Sequence, residues 1–345
     1  MPFGGYSSTA TPAARVDYSV PQAGGDGISS VAWSPNANIL VSTNWDGGVR
    51  CWEVQEQAGQ VQAVPKAQVN HENNSPVLCS TFSPDGSTVF TAGADKAVRM
   101  WKLGQQPTGP PQQIGAHTQP IKSIGFLPNS NIIVSGGWDN KLNFWDARSP
   151  NPVASIDLPD KCYDIDVKNS VMAVATGGRH LLIYDVSGTP REHMRKDSPL
   201  KNQTRCVSCF TDMTGFAVGS IEGRVGIQYN DKAQEKNNFA FKCHREASNV
   251  FAVNAIAFHP LGTFATCGAD GVISFWDKDN KQKLKGFPSK GKPISCAKFN
   301  AQGNLFAYGA SYDWSKGSQF YAPGTSNEIY IHPIAEDEIK PKKKK

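Results

Sequence analysis

Two sets of residues have the types and spacing for chemistry. In one, His117 precedes Ser135, Asp139 and Trp145; in the other, His244 precedes Thr266, Asp270 and Trp276. Hydroxyl, imidazole and carboxylate are the parts of an acyl-transfer triad, in which the imidazole takes the hydroxyl proton and the carboxylate holds its tautomer. The same types also make a structural chain, because a carboxylate removed from water must be hydrogen-bonded and imidazole or indole N–H groups can do it. A triad is needed once, whereas this set recurs, so the repetition favours a staple that ties a turn to its strands. No Gly-rich phosphate loop leads into a helix, no H-E-x-x-H occurs, and no carboxylate pair stands apart from the repeated turns. The chain is therefore expected to be no enzyme, with no cofactor. Cys206-Val207-Ser208-Cys209 is a lone C-x-x-C whose side chains point to opposite faces of a strand, and without a second pair it predicts buried free thiols and no metal.

The elements that must position these groups repeat along the chain. Ile132-Ile133-Val134 runs into Gly136-Gly137, Asp139-Asn140 supplies a turn, and Leu142 and Phe144 alternate with Asn143 and Trp145. The same strand–turn–strand recurs as Asp46…Trp52, Asp95…Trp101, Asp139…Trp145 and Asp270…Trp276, with looser copies ending at Tyr184 and Tyr229 and a last one near Tyr330. Closing aromatics from Trp52 to Trp276 lie 39 to 49 residues apart, the period of a four-stranded propeller blade. Several units open alike, as in Val31-Ala32-Trp33-Ser34-Pro35 and Ile256-Ala257-Phe258-His259-Pro260. The pattern predicts an all-β fold: a single seven-bladed WD40 β-propeller. Its blades are expected over about 28–65, 69–106, 114–156, 159–193, 204–242, 250–287 and 293–333.

The ends and linkers differ from the blades. Residues 1–15 are small, polar and rich in Gly, Pro and Thr, and read as a disordered segment; 16–335 is the propeller; 336–345 is a Lys-rich tail. Val16 to Val20 alternates apolar and polar residues and should pair as the outer strand of the seventh blade, which leaves few exposed edges. Asn230 to Lys236 is polar and reads as mobile. The seventh unit is stretched from Ala307 through Ser311-Tyr312-Asp313-Trp314-Ser315-Lys316-Gly317 to Gly324, a length that often marks function. The net charge of +5 equals the five lysines of the tail, so the remainder is balanced and whole-chain charge does not argue for nucleic acid. The lysine run reads as an import signal, a polyanion contact or a plain solvated end. No apolar run of membrane-spanning length occurs and the N-terminus lacks a secretory pattern.

Contact candidates sit at the turns. Trp45 and Trp138 immediately precede a turn Asp, where an indole either anchors a partner or packs flat on the next blade. Arg205, Arg224, Lys242, His244 and Arg245 form a basic group on the fifth and sixth units. Trp276, Lys278, Lys281 and Lys283 follow a blade-closing tryptophan. Arginines there either hold carboxylates or phosphates or are ordinary solvated charges.

Four strings carry a more specific resemblance: Ser-Pro-Leu-Lys-Asn-Gln-Thr-Arg-Cys (198–206), Ser-Ile-Glu-Gly-Arg-Val (220–225), Phe-Ala-Phe-Lys-Cys-His-Arg (239–245) and Ala-Val-Asn-Ala-Ile-Ala-Phe-His (252–259). Over about residues 28–335 the chain resembles the WD40 proteins that bind the GLEBS peptide motif. That family has an mRNA-export branch of the Rae/Gle type, docked on an FG-repeat nucleoporin, and a spindle-checkpoint branch of the Bub type. The insertion Ser311 to Gly317 and Phe275-Trp276-Asp277-Lys278-Asp279 are similar to the export branch, with Ser318 where that branch leads us to expect His.

The resemblance implies a non-enzymatic adaptor that binds a glutamate-containing GLEBS peptide across one end of the ring. Arg224 would pair with a peptide carboxylate, and Trp45, Trp138, Arg205, Lys242, His244 and Arg245 would share that site. Arg224, Trp276, Lys278, Lys281 and Lys283 would face RNA directly. It further implies mRNA or mRNP as cargo, and residence in the nucleus and at the nuclear pore with shuttling to the cytoplasm. A kinetochore adaptor using the same face, and a substrate-recruiting subunit of a ubiquitin ligase, are the alternative readings.

Overall fold

A computed structural model describes residues 15–105, 109–149, 151–322 and 324–341. The segment read as disordered, save Arg15, and the final four lysines lie outside the described residues. Among those described are seven four-stranded antiparallel sheets in ring order, plus a two-stranded hairpin, Arg245–Glu246 with Asn249–Val250. Each sheet is a blade. The third, for example, runs from the inner Ile121–Leu127 through Ile132–Gly137 and Lys141–Trp145 to the outer Ala154–Asp157. The middle strands are buried on both faces, which is why they read as apolar runs such as Phe216-Ala217-Val218. The first blade is longer than the sequence predicts, because Gly48–Gln57 and Gln60–Asn70 form an extended hairpin. Val54, Val61 and Ala63 on that hairpin are buried in the core shared with Leu305 of the seventh blade.

The seventh blade closes the ring. Its inner three strands come from Ile294–Phe299, Leu305–Ala310 and Glu328–Pro333, and its outer strand from Tyr18–Ser19 near the opposite chain end. Tyr18 pairs with Ile331 and Ser19 with Tyr330. Side chains reinforce the closure: Asp17 accepts hydrogen bonds from His332 Nδ1 (2.7 Å), from the Tyr308 hydroxyl (2.7 Å) and from the Lys290 ammonium. His332 Nε2 reaches Glu338 Oε2 at 3.0 Å. Glu338 belongs to a short helix, Glu336–Ile339, whose Ile339 is buried against the sixth and seventh blades. The start of the segment read as a tail is thus part of the folded ring, because one apolar residue and one carboxylate in it find partners.

At the end of the ring carrying the turns after the inner strands, the blades are stitched to their neighbours. Asn36 Nδ2 bonds to Pro84 O (2.8 Å), His259 Nε2 to Gly303 O (3.0 Å) and Asn300 Nδ2 to Asn38 Oδ1 (3.0 Å). The segment 230–236, read as mobile, is instead a 3₁₀ turn over Lys232–Asn237, capped by the Asp231 carboxylate accepting from Ala233 N at 2.9 Å.

Candidate peptide-docking face

The repeated Asp, His and hydroxyl form staples. In the third blade Trp145 Nε1–H donates to Ser135 Oγ (2.7 Å), Ser135 Oγ meets His117 Nε2 (2.8 Å) and His117 Nδ1 meets Asp139 Oδ1 (2.9 Å). One direction of donation satisfies the whole chain: indole to hydroxyl, hydroxyl to Nε2, Nδ1–H to carboxylate. Burial lowers the His117 pKa against the pull of Asp139, so this imidazole stays neutral. Desolvation opposes ionisation of Asp139, but His117 and the Thr118 N–H and hydroxyl hold its carboxyl below the usual range. His244, Thr266, Asp270 and Trp276 repeat the arrangement at 2.9–3.0 Å.

A third staple, His71–Asp95 (3.0 Å) and His71–Thr91 (2.9 Å), was legible as a hydroxyl four residues before a repeated Asp, and sequence reasoning missed it. There the Trp101 indole N–H is buried without an acceptor. In the first blade an arginine replaces the histidine: Arg50 grips Asp46 at 2.7 and 3.1 Å. Nothing in these sets is an open triad, since each hydroxyl is buried.

The staples place every repeated turn, with the loops that lead into the next inner strand, at one end of the ring. Trp138 stands 40 % exposed there. Trp45 is half-buried, because Trp314 of the blade-seven insertion covers it at 5.1 Å and Tyr321 stacks on Trp314 at 5.1 Å and 15°. Arg224 opens the third strand of the fifth blade beside Lys242 of its outer strand. Its Nε stands 3.8 Å from Glu222 Oε2, and a third of the side chain is open. Arg245 donates to Glu222 O at 2.7 and 3.1 Å. Glu222, missed in the sequence, organises this group: its carboxylate also accepts from Lys201 N and Asn202 Nδ2, each at 3.1 Å. Beside it Ile221 is 41 % exposed.

One of the expected residues is closed off from that surface, and another lies nearer the axis of the same end. His244 is fully buried in its staple and presents nothing to a peptide. Arg205 sits at the head of an inner strand and donates to Asp313 O (3.2 Å), which turns it toward the central channel.

The expected RNA-facing set does not form one groove with Arg224. Trp276, Lys278 and Lys281 belong to the far end of the sixth blade and Lys283 to its outer wall, because the strand Ile273–Asp277 runs away from the Asp270 turn. At about 3.3 Å per residue this puts Lys278 roughly 20 Å from the docking end. Lys278 is buried over the Phe210 ring at 4.9 Å and bonded to Asp279 at 2.8 Å. Burial pulls its pKa down, but the bond and charge of Asp279 outweigh that and raise it. Trp276 is covered by Phe241 at 4.6 Å and by the Lys283 ammonium at 5.7 Å. Lys281, over Phe239 at 4.8 Å, and Lys283 remain exposed.

The cysteines are all free, and seven of the eight are buried. Burial pushes the Cys51 thiol up to about 11 and the Cys79 thiol to about 12, so neither is a ready nucleophile or ligand. Among the described residues no group of His, Cys, Asp or Glu has the arrangement of a metal site, and no helix is long and apolar enough to cross a membrane.

The WD40 family profile (WD domain, G-beta repeat) matches residues 19–53, 65–102, 109–146 and 236–277. The chain is 46% identical over 338 residues to the mRNA export factor of Xenopus tropicalis, covering 93% of this chain and 89% of that one. It is 44% identical over 340 residues to Protein RAE1 of Arabidopsis thaliana, covering 98% and 96%. It is 40% identical over 329 residues to the mRNA export factor GLE2 of Chaetomium thermophilum, covering 92% and 90%. With identity of this order spread over nearly the whole propeller, the chain belongs to the family of WD-repeat mRNA export factors of the Rae1/Gle2 type.

Proposed function

We propose that this protein is a non-enzymatic adaptor in mRNA export. It docks a GLEBS-type peptide of an FG-repeat nucleoporin on the turn end of the ring, and works in the nucleus and at the nuclear pore while shuttling to the cytoplasm. The observation that carries this reading is the pair Arg224 and Arg245 arranged around Glu222, with Lys242 across the strands from Arg224 and Ile221 exposed beside them. Fixed guanidinium groups next to an apolar side chain suit an amphipathic peptide bearing glutamates. The Glu222 carbonyl and carboxylate hold Arg245 in place before any peptide arrives, which limits the ordering cost of docking. The relatives known as mRNA export factors support messenger RNA as the cargo, carried here in its ribonucleoprotein form.

Direct RNA contact belongs to a separate surface in this reading: the exposed Lys281 and Lys283 beside Phe239 and Trp276. Lys278 has no part in it.

Calorimetry with a GLEBS-type peptide tests the docking. Arg224→Glu is expected to weaken binding at least about tenfold, or roughly 1.4 kcal/mol. Lys281→Glu with Lys283→Glu is expected to leave peptide affinity unchanged and to weaken single-stranded RNA. A parent protein that does not bind the peptide ends the adaptor reading; equal binding by Arg224→Glu moves the site elsewhere on the ring.

A further inference from the structure

Seven Ser/Thr-Pro pairs, the acceptor dipeptide of proline-directed protein kinases, occur along the chain, at Thr11, Ser34, Ser75, Ser83, Ser149, Thr189 and Ser198. Sequence alone ranks Ser198 first, because Ser-Pro-Leu-Lys (198–201) adds the basic residue that many such kinases favour three places on. Folding reverses that ranking. Ser198, Ser34 and Ser83 are buried and their hydroxyls are engaged: Ser198 Oγ accepts from Leu200 N (3.2 Å), Ser34 Oγ from Asn36 N (3.5 Å) and Ser83 Oγ from Thr88 N (3.0 Å). Ser149 is half-buried, its Oγ donating to Asn151 O at 3.1 Å. Ser75 is half-buried and runs straight into the inner strand Val77–Phe82, whose Val77 is fully buried, so the residues after it cannot lift away. Thr11 lies outside the described residues.

Thr189 differs from all of these. It is exposed in the loop that joins His180–Asp185 to Arg191–Asp197, at the end of the ring away from the repeated Asp turns, and its hydroxyl has no hydrogen-bond partner among the described residues. Ser187 and Gly188 before it are exposed too. The strand after it is the outer edge of the fourth blade and has no fully buried residue. A register shift opposite Ile183 and Tyr184 already interrupts its ladder, pairing Met194 and Glu192 while skipping His193. Lifting the first residues of that strand into a kinase groove therefore gives up a few edge hydrogen bonds and no core.

We propose that Thr189 is a phosphorylation site, the acceptor of a proline-directed Ser/Thr kinase that uses ATP. Its Oγ attacks the γ-phosphorus, the bond from that phosphorus to the β–γ bridging oxygen breaks, ADP leaves, and the hydroxyl proton passes to the kinase's catalytic aspartate. The phosphate brings a charge near −2 to a loop whose nearest cation is Arg191, now 3.4 Å from Asp185. Phosphate and Asp185 then compete for that guanidinium, with the dianion the stronger partner. The site stands on the opposite end of the ring from the docking face and does not rest on that reading.

The test incubates the full chain with ATP and a purified mitogen-activated protein kinase, a class for which the proline alone suffices, and maps phosphate by tandem mass spectrometry. A Thr11→Ala background removes the acceptor that lies outside the described residues. Synthetic peptides spanning 183–195 and 192–204 present Thr189 and Ser198 without the fold. Both peptides are expected to be phosphorylated, whereas the folded chain takes phosphate at Thr189, loses it in Thr189→Val and regains it in Thr189→Ser. The proposal is overturned if folded Thr189 takes no phosphate, whether or not its peptide does, or if Ser198 or Ser75 is the principal site in the folded chain.

Discussion

A single hydroxyl decides how many buried partners each staple satisfies. Thr266 serves both His244 Nε2 and the Trp276 indole, whereas Thr91 serves only His71 because the Trp101 N–H has no acceptor. Valine keeps the shape of threonine and removes the hydroxyl. Thr266→Val therefore strands two polar atoms and Thr91→Val one. Thr266→Val should cost more stability by about 1 kcal/mol, the order of one unsatisfied buried group. Urea unfolding followed by tryptophan fluorescence measures it, and equal costs would show that the indole bond contributes nothing.

The closing elements of the ring set a pH dependence. Burial alone would lower the His332 pKa, but hydrogen bonds to Asp17 and Glu338 and their charges outweigh it and raise the value. A base whose folded pKa lies above its unfolded value, about 6.5 for histidine, contributes stability that is present at lower pH and is lost as pH rises through the raised value. Asp17 and Glu338 are desolvated yet held below the usual carboxylate range by His332 and their other donors, so their contribution is lost only in acid. The stability gap between the parent and His332→Gln should accordingly shrink from about pH 6 to about pH 9, by thermal unfolding across buffers. A gap that widens with pH would contradict the charged clasp. Truncation before Glu336 removes both Glu338 and the buried Ile339 and should lower the melting temperature at every pH.

At the scale of the whole molecule, closure by a two-residue strand leaves the seventh blade dependent on the chain's beginning. A chain starting at residue 21 exposes the outer edge of Glu328–Pro333 and should oligomerise or aggregate, as read by light scattering after gel filtration. Monomeric behaviour would show that the edge needs no cover. The ring itself was legible in sequence because blade periodicity is local: alternation, turn Asp and closing aromatic lie within a few residues of one another. The clasp was not, since Asp17 and His332 stand 315 residues apart and neither carries a motif.

Arg224, Lys242 and Arg245 were legible as a basic cluster, but Glu222, which holds the two arginines, looked like one more loop carboxylate. His244 belonged to a staple and to the basic cluster at once, and burial decides for the staple. Lys278 read as a free cation because nothing local in the sequence shows Phe210 closing over it from the neighbouring blade.

On the proposed function, an acidic peptide docks on the turn end of this ring. Hydrogen exchange of the full chain with and without a GLEBS-type peptide tests it most directly. Protection is expected over 220–224, 242–250 and the Trp138 turn, with the Lys278–Lys283 end unchanged. Protection confined to the Lys278–Lys283 end, or to the outer wall of the first blade, would contradict it.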